Sequence, residues 1–105
     1  MTMYQITVLY AHPADVAAFD KHYDEVHAPL AAAIPGLQRY TVTRPVPGPD
    51  GSPPAHHLVA VLEFEDAAAT AAGMGGPEGK AATDDLANFA QAGVTLLQGP
   101  GDIVV

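Results

Sequence analysis

Residues 19–37 read FDKHYDEVHAPLAAAIPGL, and this stretch decides the fold of the first half of the chain. Four of its residues follow one another at spacings of four, four and three: Phe19, Tyr23, His27 and Leu30. Such spacings place side chains on one stripe of an α-helix, the stripe that faces the core. A buried tyrosine or histidine costs free energy unless its polar tip has a hydrogen-bond partner. The stripe therefore predicts a small pocket beneath the helix.

Proline residues mark the start and the middle of this helix. Pro13 and Asp15 indicate where it begins, and it is expected to run to about Ile34. Pro29 removes one backbone hydrogen bond and pushes the preceding residue away from helical angles. We therefore expect the helix to kink or break next to His27.

Outward from this stretch, the chain alternates between strands and one further helical region. Strands are expected at residues 4–10, 37–44, 57–64 and 94–98, where β-branched and aromatic residues are frequent. Helix is expected at 66–74 and, after a Gly-Gly-Pro break, at 78–90. The order β-α-β-β-α-β is that of the α+β ferredoxin-like fold, formed here by a single domain over residues 1–105.

The strand expected at residues 57–64 is apolar on both faces. Its alternating residues form two sets: Leu58, Ala60, Leu62 and Phe64 on one face, and His57, Val59, Val61 and Glu63 on the other. If the first set packs beneath the helices, Val59 and Val61 are left on a face that needs cover. Two sheets packed face to face would cover it, so we expect a homodimer, and the sequence leaves open whether His57 or Glu63 lies in its interface.

Composition excludes several classes of function. The 105 residues carry a net charge of −8 with only four Lys and Arg, which disfavours binding to nucleic acid or to an anionic membrane surface. No signal peptide or membrane span is evident, so a cytoplasmic protein is expected. There is no cysteine, and the five histidines and the acids show no spacing that gives three convergent ligands. We expect neither a metal nor another cofactor.

Two motifs carry a resemblance to a known family. The first is Phe19-x-x-x-Tyr23-x-x-x-His27-Ala-Pro-Leu30 with Ile34-Pro-Gly-Leu37-x-x-Tyr40, and the second is Pro77-Glu78-Gly79-x6-Leu86-x-Asn88-Phe89. This pattern resembles the EthD family of dimeric α+β barrel proteins over nearly the whole chain. A Pro- and Gly-rich insertion at residues 45–54 departs from it.

The resemblance implies chemistry on small hydrophobic compounds. The family is named for genes linked to ethyl tert-butyl ether degradation, and some relatives resemble decarboxylases or dehydratases of polyketide-type aromatics. The wider superfamily includes cofactor-free monooxygenases, lactone isomerases and haem enzymes. The fold does not choose among these activities. The resemblance implies a protein of catabolism or secondary metabolism that acts on or binds a hydrophobic, oxygenated or aromatic compound.

His27 is the candidate acid/base, because an imidazole titrates near neutral pH. Tyr23 and Tyr40 would position the ligand, and Phe19 and Leu30 would contact it. The alternative is a non-catalytic binding or accessory dimer in which His27 only stabilises the kink. A haem or metal protein is a third possibility. Apart from His27, only tyrosines stand out as titratable on the pocket side, so no acid/base pair is evident from the sequence.

Overall fold

Four antiparallel strands form one sheet in the order β2-β3-β1-β4. The computed structural model describes residues 2–105. Its strands are β1 (Thr2–Tyr10), β2 (Arg39–Thr43), β3 (Leu58–Phe64) and β4 (Val94–Asp102). β4 runs further than expected because it pairs with β1 along its full length, from Tyr10 opposite Val94 to Thr2 opposite Asp102. The α+β ferredoxin-like fold is confirmed.

Two helical regions connect the strands. The first is continuous and consists of α1 (Val16–His22), a π-helical turn (Tyr23–His27) and α2 (Ala28–Ala32). The second consists of α3 (Ala67–Gly75) and α4 (Pro77–Phe89). Aspartate side chains cap α1 and α3 by accepting backbone N–H bonds from Ala18 and Ala69. No helix within residues 2–105 is long and apolar enough to cross a membrane.

The interruption expected beside His27 takes the form of the π-helical turn. The backbone N–H of Ala28 donates to the carbonyl of Tyr23, five residues earlier instead of four. Pro29 has no N–H to donate, and in a regular α-helix its ring would crowd the carbonyl of Glu25. The wider turn accommodates the ring without ending the helix. The chain therefore stays helical through Pro29, where a kink or break was expected.

The helices cover one face of the sheet, and the core lies between the two layers. The alternation predicted for β3 is observed, since every second residue from Leu58 to Phe64 is buried. The other buried apolar residues come from β1, from both helical regions and from the turn after α2: Ile6, Val8, Tyr10, Phe19, Tyr23, Ala31, Ile34, Ala82 and Phe89. Polar side chains in this layer are few, which makes each of them a candidate for function.

The opposite face of the sheet carries apolar side chains without cover from the helices. Val61 lies opposite Thr7, which in turn lies opposite Leu97, and 57% of Leu97 is exposed. His57 does not belong to this face, contrary to our expectation. Its Nε2 lies 2.8 Å from Oδ1 of Asp20, on α1. Strand alternation begins only at Leu58, so the preceding residue is free to turn toward the helices.

Candidate functional site

His27 lies at the end of the π-helical turn and points into the core. Its Nδ1 is 3.0 Å from Oδ2 of Asp85, which comes from α4. Its Nε2 is 3.3 Å from the hydroxyl of Tyr10, at the end of β1. Both His27 and Asp85 are buried, with 6% and 5% of their surface exposed. Three different elements therefore contribute one polar side chain each to a single buried chain of hydrogen bonds.

Asp85 holds a negative charge in this buried position. Burial alone raises the pKa of the carboxyl, but hydrogen bonds from Asn88, His22 and His27 outweigh it and leave the pKa below its ordinary value. The Nδ2 of Asn88 and the Nε2 of His22 both donate to Oδ1 of Asp85, each at a distance of 2.9 Å. A carboxylate with several N–H donors is stabilised in its charged form. Asp85 is therefore an acceptor for His27, not a donor.

The protonation of His27 follows from this arrangement. Burial lowers the pKa of His27 and outweighs the opposing effect of the Asp85 hydrogen bond. The imidazole is thus neutral at neutral pH, and it carries its hydrogen on Nδ1, because the Asp85 carboxylate has none to share. Burial raises the pKa of Tyr10, which keeps its hydroxyl protonated. Nε2 of His27 is left as a basic lone pair that accepts from Tyr10.

Tyr23 and Tyr40 form a second polar contact next to His27. Their hydroxyl oxygens are hydrogen-bonded to each other, and the rings of Tyr23 and His27 lie 5.3 Å apart. Burial is the main cause that raises the pKa of both phenols. The two hydroxyls are neutral at any physiological pH, and one of them donates to the other, so one O–H is left to donate to a ligand and neither exchanges protons with it readily.

A small cavity of about 40 Å³ lies between these groups and the sheet. Tyr10, Tyr23, His27 and Tyr40 supply its polar lining. The rest of its wall is mainly apolar: Ile6, Val8, Ala31, Ile34, Ala60, Leu62, Met74, Ala82, Thr83, Leu86 and Leu96. An apolar lining with a few convergent polar groups is the usual form of a small-molecule site, but most such pockets hold roughly 300–1,000 Å³. A ligand of more than a few heavy atoms would therefore have to widen this cavity.

The structure brings together three of the five residues selected from the sequence. His27, Tyr23 and Tyr40 share the cavity, whereas Phe19 and Leu30 are outside its lining. Phe19 packs against the ring of Phe89 at 5.1 Å, and Leu30 lies at the margin of the core. The ligand contacts predicted for Phe19 and Leu30 stay predictions. Both residues pack in or beside the core next to the residues that line the cavity.

The sequence reasoning missed Asp85, Tyr10 and His22. A signal for Asp85 was present, because it falls on the buried side of α4, three residues after Ala82 and four before Phe89. A carboxylate on an apolar helical stripe is rare unless it is paired. Within residues 2–105, no group of three or more histidine or acidic side chains is arranged to hold a metal ion.

Comparison with known proteins assigns the family. The chain matches the EthD domain over residues 11–93. This protein belongs to the EthD family. It is 44% identical over 95 residues to an uncharacterised 11.0 kDa protein from the thcB-thcC intergenic region of Rhodococcus erythropolis, covering 90% of this chain and 91% of that one. The resemblance inferred from the two motifs is confirmed.

Solved structures agree with this assignment. An EthD family protein from Bacillus halodurans C-125 superposes with a TM-score of 0.89 at 37% identity, over 96% of this chain and 99% of that one. Two others share the fold at 18% identity. A dimeric ferredoxin-like protein of unknown function from Thermobifida fusca gives a TM-score of 0.67 over 94% of this chain and 90% of that one. SnoaB from Streptomyces nogalater, a cofactor-independent oxygenase, gives a TM-score of 0.62 over 99% of this chain and 94% of that one.

Proposed function

We propose that this EthD-family protein binds a small hydrophobic, oxygenated or aromatic compound and moves a proton on it without a cofactor. The observation that carries the proposal is the hydrogen bond between Asp85 and Nδ1 of His27, which leaves Nε2 of His27 unprotonated at the wall of an apolar cavity, where it accepts from the Tyr10 hydroxyl until a ligand takes that place. A base held by a buried carboxylate keeps its orientation and gains stability when it takes up a proton.

The proposed step is a proton transfer to Nε2 of His27. A ligand O–H, or a C–H next to a carbonyl, loses its proton to Nε2, and the electron pair stays on the ligand as an enolate or phenolate. The imidazolium formed is paired with the Asp85 carboxylate 3.0 Å away. Return of that proton to another ligand carbon or oxygen completes an isomerisation. Alternatively, the enolate expels a β-hydroxyl as its C–O bond breaks, and transfer of the proton from His27 to that oxygen releases water and completes an elimination. The hydroxyl of Tyr10, beside Nε2, would donate to the ligand oxygen that becomes negative.

The fold is compatible with such chemistry. SnoaB shares it and is described as a cofactor-independent oxygenase. Fold similarity at this level of identity does not transfer a reaction, so the proposal for this chain rests on its own Asp85, His27 and Tyr10.

A second candidate is a non-catalytic binding or accessory protein in which His27 is structural. It is supported by the complete pairing of the buried polar side chains, since no buried side-chain N or O atom in residues 2–105 lacks a hydrogen-bond partner. A satisfied network of this kind rigidifies a core even when it performs no chemistry.

His27→Gln separates the two candidates, because glutamine keeps a donor and an acceptor but does not titrate. A panel of hydrophobic phenols and lactones would be screened by thermal shift, since a ligand that binds only the folded protein raises the melting temperature. Acid/base function predicts that the variant folds normally and loses the pH-dependent part of the ligand response. A large loss of stability with intact ligand shifts would support the structural candidate. His56→Gln, in the loop before β3 and outside this network, is the control.

We also propose that the protein is a homodimer that packs its open sheet faces together. Two ferredoxin-like proteins that share the fold, from Thermobifida fusca and from a Jannaschia species, are described as dimeric. The face that would be buried carries Val59, Val61 and Leu97, and the helices leave it uncovered. Burial of such a face supplies the hydrophobic free energy for association.

A further inference from the structure

Two histidines share the carboxylate of Asp85. His22, the last residue of α1, places its Nε2 2.9 Å from Oδ1 and 3.0 Å from Oδ2. His27 bonds to Oδ2 from the other side. The two imidazoles differ in access to solvent, because 26% of the His22 side chain is exposed and only 7% of that of His27.

The π-helical turn makes this double contact possible. In a regular α-helix, residues five positions apart are separated by well over a turn and point in different directions. The π-helical turn between Tyr23 and His27 holds an extra residue in one turn, so His22 and His27 both reach the same acid on α4. Turns of this type are often found at functional sites.

His22 faces the outside of the molecule. It lines a groove of about 560 Å³ between the start of α1 and the end of α4, with Asp15, Asn88 and Phe89 among its neighbours. Its ring stacks on that of Phe89 with 5.0 Å between ring centres. The cavity that His27 lines shares none of its lining residues with this groove. One carboxylate therefore connects a group in contact with solvent to the buried base.

We propose that His22 is a positioning residue that controls, through Asp85, whether His27 can take up a proton. The proposal rests on the proposed role of His27 as acid/base. A single carboxylate compensates one positive charge at close range. When His22 is protonated, its charge is paired with Asp85 and opposes a second proton on His27. When His22 is neutral, Asp85 is free to stabilise the His27 imidazolium.

Other charged or titratable groups around the pair do not supply this control. Tyr10 faces His27 from β1 and Tyr23 from its own helix, and burial keeps both phenols protonated. Asp15 lines the groove beside His22 but caps the backbone N–H of Ala18. Asp85 is the group in direct contact with both imidazoles.

The test is an NMR titration of the imidazole resonances. In the wild-type protein the His27 signals are expected to move in two steps, one of them at the midpoint of the His22 titration. In His22→Gln, which keeps an N–H donor toward Asp85, they are expected to move in one step with its midpoint at higher pH. His56→Gln should leave the wild-type curve unchanged. The wild-type curve tests the proposal even if the variant fails to fold.

The possible outcomes distinguish the role of His22 from the proposed function of His27. A single His27 step in the wild-type protein, or a curve in His22→Gln that superimposes on the wild-type curve, overturns the role of His22. Neither result affects the proposal that His27 is the base, which is judged by the ligand response of His27→Gln. If the coupling is present but no ligand response depends on His27, the proposed function fails while the electrostatic link stands.

Discussion

Nδ1 of His27 lies 3.0 Å from Oδ2 of Asp85, with both side chains buried between helix and sheet. This contact fixes the tautomer of the imidazole and directs its basic nitrogen toward Tyr10 and the cavity. It also explains why a charged side chain is tolerated on the buried side of α4, where water is excluded.

Asp85→Asn is expected to destabilise the protein by about 1–3 kcal/mol, because the buried His27 and the partly exposed His22 lose a charged acceptor. For a domain of this size, each 1 kcal/mol lowers the melting temperature by roughly 4–8 °C. The neighbouring Asp84 provides the control, since it is exposed and pairs only with Lys80 at the surface. Asp84→Asn should change the stability by less than about 0.5 kcal/mol. Equal melting temperatures for the two variants would contradict the importance of the buried pair.

The stability of the protein is expected to fall when the pH drops below about 6.5, the ordinary pKa of histidine. The pKa of His27 is lowered in the folded state, so the unfolded chain binds the proton first as the pH falls. Unfolding is therefore favoured at lower pH, and the free energy of unfolding rises with pH through this range. Chemical denaturation at about pH 7.5 and about pH 5.5 measures the difference. His27→Gln should reduce that difference and His56→Gln should reduce it less, whereas a larger difference in His27→Gln would refute the assignment.

Gly73→Ala is expected to destabilise the protein by about 1–3 kcal/mol through overpacking. A Cβ at this position would clash with the backbone carbonyl oxygen of Pro35, in the turn after α2. Gly75 lies in the same helix and has open space around the corresponding position. Gly75→Ala should therefore be neutral or stabilising, by up to about 1 kcal/mol. Thermal unfolding of the two variants measures this difference. A Gly73→Ala variant that melts at the same temperature as Gly75→Ala, or above it, would contradict the prediction.

Light scattering is expected to give twice the chain mass of 10.8 kDa at micromolar concentration. Val61→Lys should shift the protein toward the monomer, because it places a charge on the sheet face proposed to be buried in the dimer. Val46→Lys is a matched control on an exposed loop, where 75% of the valine is already accessible. A wild-type monomer, or a Val61→Lys dimer as stable as the wild type, would rule out this interface.

The sequence by itself determined the fold and the first half of the site. The stripe that contains Tyr23 and His27, the alternation from Leu58 to Phe64 and the turns between the elements are local patterns. Local spacing dictates which way each of these side chains points, so their directions can be predicted without knowing which element packs against them. The inward direction of Tyr23 and His27 and the uncovered position of Val61 follow in this way.

Only the tertiary structure decided the partners of His27. Asp85 lies 58 positions away along the chain and Tyr10 lies 17 positions away, and their approach depends on how α4 and β1 pack around the first helix. The shared use of Asp85 by His22 depends further on the π-helical turn, which regular helical spacing does not predict. Contacts between elements are set by the sum of many packing interactions rather than by neighbouring residues, and the hydrogen bond between His27 and Asp85 is such a contact.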